Sequence, residues 1–499
     1  MKRFIPVLTL LIFASCSGNV EDAVESPKDT LVQEVIDTIP PFESVESNFT
    51  TDSLILPEGF TYKVLFREEF DLVTRADGKK FPAKGSHDLS VFIPNKMSPT
   101  TKGMLYISHE TKYANADLGD GGGATIFDIE LVDGEWKVVS DFRHVDFSQV
   151  GGTNRNCGGS ISPNGTVFTC EEVWAPNTSY LWADGKGHTD TSFQNGRPLW
   201  QNMGYMVEVD PYTNKAIKKH WKMGRFVHED IHFTSDGKTA YLTDDNSPGI
   251  FFKYETKKAF NYEDGQLYAY KQSADGESGE WLSLPMDTIS LINCTKIAME
   301  KGASMFIRHE WLQEINGKLY ITETGEDNFD WTDGISAGGS VPNYVAANLH
   351  LEGNKYDDVF GRILEFDPQT NKMRSYLEGG IFSDSSGCFS NPDCNTSVNI
   401  GNKTYLVICE DINWYDRGRA GKEGEMNKQF FNEVYFLDMS IENPTADDLL
   451  RFAVTPKGAE GTGVIFLPDG SMILNIMHPA KENPAPFNRS CTVLIQGFN

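Results

Sequence analysis

Asn164-Gly165-Thr166-Val167-Phe168-Thr169-Cys170-Glu171-Glu172 is a tight-turn pair followed by a β-prone run that ends on carboxylates. Asn-Gly supplies the positive φ that a two-residue hairpin demands, and Thr, Val and Phe favour strands. The same order recurs along the 499-residue chain. Similar runs stand at 104–110, 240–245, 319–323, 405–411 and 472–478, each ending on an acid or, in the last, on His478. Four of these five follow a turn pair of their own: Asp236-Gly237, Asn316-Gly317, Gly401-Asn402 and Asp469-Gly470. Each run is followed, after a loop, by a second strand-like stretch, as at 204–210, 361–367 and 492–496. The apolar period is about two rather than about 3.6, which excludes a helical solenoid. A strand–turn–strand–loop–strand unit repeated six times predicts an all-β, six-bladed β-propeller with loop insertions.

The polar positions repeat as well. Shortly before each run stands a short motif: His87-Asp88, Asn156-Cys157-Gly158-Gly159, His228-Glu229-Asp230, Arg308-His309-Glu310, Asn391-Pro392-Asp393 and Gly461-Thr462-Gly463. Innermost propeller strands line a central channel, so equivalent residues of successive blades face one space. With the strand-end acids Glu110, Glu172, Asp244 or Asp245, Glu323, Glu410 or Asp411, and with His478, they are expected to enclose one cavity. Like charges this close raise each other's pKa and call for cations. Oxygen ligands suit Ca²⁺, and a thiolate or imidazole among them suits a softer metal such as iron or zinc.

Charge and composition limit the partners. The chain carries 44 Lys+Arg against 71 Asp+Glu, a net −27, which argues against nucleic acid and anionic lipid as ligands. Charged residues at 23% and aromatics at 12% describe a globular protein rather than a disordered one. Part of the charge sits near the N-terminus, where residues 21–52 hold nine acids and the single base Lys28. That segment, with Pro40-Pro41, cannot bury a core. Ahead of it, Met1-Lys2-Arg3, an apolar run to Phe13 and Ala14-Ser15-Cys16 have the form of a lipoprotein signal. The expected organisation is a signal peptide over 1–15, lipidation at Cys16, an acidic flexible tether over 16–52 and the propeller over 53–499. The protein is then exported and sits at the outer membrane or cell surface through its lipid, or in the periplasm if it is not lipidated. Seven cysteines remain after Cys16, at irregular spacing that defines no disulfide framework. Cys157 differs from the rest in lying in a polar, glycine-rich stretch.

The stretch from Asn156-Cys157 through Gly165 to Glu171-Glu172 resembles the diagnostic motif of PhoX-type alkaline phosphatases. Gly224-Arg-Phe-Val-His-Glu229, Tyr241-Leu-Thr-Asp-Asp245, Arg308-His-Glu310, Asn391-Pro-Asp393 and Asn475-Ile-Met-His-Pro479 are similar to further motifs of that family, in the same order. The resemblance implies an exported phosphatase that hydrolyses small-molecule phosphate monoesters at a Ca²⁺ and Fe³⁺ cluster in the channel mouth of a monomeric propeller. By motif position, Cys157 would be the thiolate ligand of iron, and Glu229 and Glu310 carboxylate ligands of an iron pair. Glu172, Asp393 and Glu410 would hold calcium, Asp244 or Asp245 would add a further ligand, and Arg308 would grip the substrate phosphate. Arg308, Cys157 and Glu310 would thus carry the catalysis.

Those residue types suit phosphoryl transfer, which needs charge neutralised on the phosphate oxygens and a guanidinium that pairs with two of them at once. Two other classes stay open from sequence alone. One is a calcium-dependent propeller hydrolase of a phosphodiester or lactone, which needs the acids but not Cys157 or Arg308. The other is a non-catalytic lipoprotein that binds a glycan or protein and holds calcium structurally.

Overall fold

Gly165, with φ +87°, turns strand Asn156–Ile161 into strand Val167–Glu171, and its N–H donates to the Ser162 carbonyl. The hairpin read from Asn164-Gly165 therefore forms, and in the computed structural model it opens a four-stranded antiparallel sheet completed by Met206–Asp210 and Lys215–Lys219. The structure describes residues 41–112, 115, 117–119, 121–173, 192–193, 197–326, 329–346, 354–356, 358–412 and 431–498. The expected signal peptide, Cys16 and the tether up to residue 40 lie outside the described residues.

Four further sheets are likewise each built from one continuous stretch of chain. Each holds an inner hairpin, whose leading strand is counted below as the sheet's first: His87–Pro94 with Lys102–His109 (after the short strands Leu72–Thr74 and Lys80–Pro82 of the same sheet), His228–Phe233 with Thr239–Asp244, His309–Ile315 with Lys318–Glu323, and Pro392–Ile400 with Lys403–Glu410. One more sheet is composite. Glu460–Phe466, Met472–Met477 and Cys491–Gln496 come from the C-terminal end, and Thr61–Arg67 from near the N-terminus adds its outermost strand. Below, the sheets are numbered in chain order of their first strands, so the composite sheet is the sixth. Those first strands pack one on the next, from 87–94 through 156–161, 228–233, 309–315 and 392–400 to 460–466, and the last packs back on the first. The protein is all-β and propeller-like, with short helices such as Thr288–Ile292 and Cys294–Glu300 confined to connections.

Apolar residues at a period of two face the spaces between sheets. Strand Phe252–Thr256 alternates between buried and half-buried residues, with Phe252 and Tyr254 inaccessible to solvent. The composite sheet is held in the same way. Phe66, on the added N-terminal strand, is fully buried, stacks on His87 at 4.7 Å between centroids, and touches Phe127 and Phe142.

Residues 41–52, which composition places in the tether, belong to the body. The Val45 N–H donates to the Arg451 carbonyl, Ser47 bonds Glu433, and Ile55 just beyond bridges to Val454. Phe42 accounts for this: its ring meets Phe436 and Phe452 at about 5 Å and is buried there, apolar area enough to anchor an otherwise polar segment. No helix among the described residues is long and apolar enough to cross a membrane.

Closure by the N-terminal strand makes Phe66 a test of the composite sheet. Phe66→Ala is expected to cost about 3–5 kcal/mol, read from denaturant unfolding. A loss under about 1 kcal/mol would show that strand 61–67 does not hold the ring closed.

Candidate metal and phosphate site

A β-bulge recurs at the start of five of the six inner hairpins, and it is what aims the site residues. His87 pairs with His109 and then Ser90 with Ile107, so three steps on one strand meet two on the other. The same offset follows Asn156, His228, His309 and Pro392. A bulge adds one residue and redirects a side chain. Here the residue just inside it is Asp88, Cys157, Glu229, Glu310 or Asp393, and all five line one cavity of about 600 Å³. The residue ahead of the pair takes a left-handed backbone in four of the five: Ser86 (φ +47°), Arg155 (+43°), Arg308 (+56°) and Asn391 (+50°). In the sixth sheet the bulge comes later, between Thr462 and Ile465, and the strand's first residue, Glu460, reaches the cavity instead.

The second strands contribute through paired residues with divided roles. Strand side chains alternate faces, so of two consecutive acids only one points into the cavity. Glu172, Asp245 and Asp411 line it, as do Glu110 and His478 at the corresponding places. The acids Glu171, Asp244, Glu410 and Glu323, one step earlier along their strands, do not line it and are held from behind. Glu171 accepts from the Gly204 and Tyr205 N–H groups and from the Lys219 ammonium at 2.7 Å. Asp244 accepts from the Val227 and Ile250 N–H groups and the Thr295 hydroxyl, each at 3.2 Å. Glu410 accepts from the Ser390 and Glu433 N–H groups, both at 2.9 Å. Glu323 is bound by Arg362 and by the Tyr344 hydroxyl.

Among the described residues, ten carboxylates line the cavity. Burial first, and then neighbouring acids, push Glu110, Glu229, Asp393 and Glu460 well above the usual carboxylate range. Glu310 is raised the same way, with Arg308 and Thr324 pulling in the other direction. Asp88 rises to about 7 for the same leading cause, against a hydrogen bond from Thr462. Burial likewise raises the Cys157 thiol, which lies 3.2 Å from the His228 carbonyl. Among the described residues, three sets of ligand atoms lie within 4.8 Å of one another: Asp88 with Cys157 and Glu229, Glu229 with Asp245 and Glu310, and Asp411 with Glu460 and His478. This donor set fits cations, which would stabilise the ionised acids and deprotonate a coordinating thiol. Arg308 stands at the second set, its Nε 3.0 Å from Asp245 Oδ1 and its Nη2 3.1 Å from Glu310 Oε1. Its backbone is pinned on both sides, the N–H donating to the Asn246 carbonyl and the carbonyl accepting from the Thr324 N–H.

Residues 133–480 match the family described as alkaline phosphatase PhoX, about 70% of the chain. The chain belongs to the PhoX alkaline phosphatase family. It is a phosphatase, and the lactonase and non-catalytic readings fall away. Among solved structures, Pseudomonas fluorescens PhoX in complex with vanadate, a transition-state analogue of that enzyme's reaction, aligns over 92% of this chain and 98% of its own. The TM-score is 0.68 at 19% identity, a likeness of fold. Trichoderma reesei carbohydrate-active enzyme family AA12 aligns over 91% of this chain and 99% of its own, at 10% identity and a TM-score of 0.41. Trypanosoma rangeli sialidase covers 88% of this chain and 59% of its own, at 10% identity and a TM-score of 0.35. No curated protein matches.

Set against the residues that the PhoX resemblance implies, the cavity brings together Cys157, Glu172, Glu229, Arg308, Glu310 and Asp393. Of Asp244 and Asp245, only Asp245 lines it. Glu410 does not line it; the next residue, Asp411, does, because Glu410 faces away to hold two backbone N–H groups. Glu323 also points away, to Arg362. In the sixth sheet Glu460 stands at the cavity in place of Gly461-Thr462-Gly463. Strand alternation says that only one of Glu410 and Asp411 faces the cavity but not which one, and the displaced bulge leaves no trace in the sequence around Glu460.

The raised acids predict how pH acts on metal-free protein. A carboxylic acid whose pKa is higher folded than unfolded keeps its proton longer in the native state, so stability is present at low pH and falls as pH rises. For Asp88 the fall spans the unfolded value near about 4 up to about 7. After chelation, the thermal midpoint is expected to drop across this window, and added Ca²⁺ is expected to remove the slope. A midpoint rising with pH in chelated protein would contradict this electrostatic picture.

Proposed function

We propose that this phosphatase is exported and hydrolyses small-molecule phosphate monoesters at a cluster of Ca²⁺ and iron held in the channel mouth of a six-bladed propeller, the composite sheet being the sixth blade. The observation that carries the reading is Glu229. It belongs to both the Cys157 and the Glu310 donor groups, and Arg308 stands directly beside the second. Cys157, Glu229, Asp245 and Glu310 are the residues to hold iron, the one thiol in the set favouring the softer metal. Asp393, Glu172 and Asp411, which offer oxygens alone, are suited to calcium. When bound, the cations supply Lewis acidity that draws charge off the phosphate oxygens.

The chain's own groups do the rest. Arg308 presents a planar fork to two phosphate oxygens, which a lysine cannot do. Asp245 and Glu310 orient that fork, and the hydrogen bonds to Asn246 and Thr324 fix its backbone before substrate arrives. Such preorganisation contributes to the rate because no reorientation is required as charge develops. Thr324 also donates to Glu310 Oε1 at 2.7 Å and so holds that carboxylate in one orientation. The acidic tether up to residue 40 and a lipid on Cys16 would hold the enzyme at the outer membrane or cell surface, facing soluble phosphate esters.

The purified protein is expected to hydrolyse p-nitrophenyl phosphate, to lose that activity to chelators and to regain it with Ca²⁺. Arg308→Ala is expected to lower kcat/KM by about 100-fold or more with the fold intact. Full activity in Arg308→Ala, or no turnover by fully metallated wild type, would overturn the assignment. Cys16→Ser is expected to shift the protein from the membrane to the soluble exported fraction, as found by fractionation.

A further inference from the structure

Arg155 and Arg308 occupy the same place in the repeat. Each stands two residues ahead of a cavity-facing donor, Cys157 in one case and Glu310 in the other, and each precedes the same bulge. Each lines the cavity and has a left-handed backbone, with φ of +43° and +56°. Each guanidinium is held by cavity carboxylates. Arg155 Nη1 lies 3.2 and 3.3 Å from the two oxygens of Glu172, as Arg308 is held by Asp245 and Glu310. Both side chains stay partly open, at 31% and 21% exposure, so a solute entering the cavity can reach them.

The residue types at this position matter. The first and fifth sheets place Ser86 and Asn391 here, short polar residues of which Asn is suited to left-handed backbone. An arginine gains nothing from that conformation, so its presence in the second and fourth sheets points to what its side chain does. The third sheet, between them, carries the uncharged Val227 and then Glu229, the residue shared by two donor groups. The two arginines thus bracket Glu229 in the ring.

We propose that Arg155 is a second phosphate-binding residue of the active site, gripping the substrate phosphate from the second sheet as Arg308 grips it from the fourth, with Glu172 orienting it. This rests on the phosphatase reading with Arg308 at the phosphate. A phosphate has oxygens enough for two guanidinium forks, and charge-assisted pairs of this kind are the strong ones.

The test compares wild type with Arg155→Ala and Arg155→Lys. It measures the inhibition constant of inorganic phosphate, KM and kcat for p-nitrophenyl phosphate, bound metal and thermal midpoint. Arg155→Ala is expected to raise the phosphate inhibition constant about tenfold or more, with metal content and midpoint unchanged. Arg155→Lys, which keeps the charge without the fork, is expected to fall between the two. A phosphate inhibition constant within about twofold of wild type in both variants overturns the proposal. So does a weakening that appears only together with lost metal, since Arg155 would then merely position Glu172. If Arg155→Ala does not fold, Arg155→Lys decides by the same criteria. Should wild type show no turnover, the phosphatase reading itself fails, and calorimetric titration of the same variants with inorganic phosphate still decides whether Arg155 binds it.

Discussion

Ten carboxylates around a cavity of about 600 Å³ repel one another, and most of the molecule's special features answer to that repulsion. Two unit charges 4 Å apart interact by about 4 kcal/mol at the effective dielectric near a protein surface, so a ring of them cannot stay ionised unaided. Protons or cations must enter. Protons leave a set of neutral acids with little pull on a phosphate, whereas multivalent cations turn the same ring into an attractor for an anion. The acids are therefore both the liability of the fold and the source of its chemistry.

Holding such a ring together requires rigid support from groups that do not face it. Five inner strands each contribute one donor through a bulge, and the sixth contributes Glu460 from its start. Glu110, Glu172, Asp245, Asp411 and His478 come from just past the ends of second strands. The last strand residues themselves, Glu171, Asp244, Glu323 and Glu410, point away and bind backbone N–H groups, Lys219 or Arg362. Arg362 is almost fully buried between Glu323 and Asp358, an ion cluster that would be costly to break on either side. In each pair of consecutive acids one residue thus secures the loop and its neighbour serves the cavity.

Much of this was readable from the chain alone, for identifiable reasons. The repeat shows because turn pairs such as Asn164-Gly165 punctuate strands of period two. Cys157, Glu229, Arg308, Glu310 and Asp393 show because a short polar motif stands shortly before most of the repeated strands and because those motifs resemble the PhoX pattern. Consecutive acids are ambiguous for a different reason. Which of Asp244 and Asp245, or of Glu410 and Asp411, faces inward depends on strand phase, and composition does not carry phase. Glu460 is hidden because its sheet moves the bulge and so breaks the pattern that reveals the others. Phe42 is one of several scattered apolar residues in an acidic stretch, and only the pocket formed by Phe436 and Phe452 gives it a role.

The central claim is that this ring of acids is a cation site. Elemental analysis of the purified protein, after dialysis against metal-free buffer, tests it most directly. The account predicts retained calcium together with iron or another transition metal, in whole-number ratio to the chain. A catalytically active protein that retains no metal would contradict it.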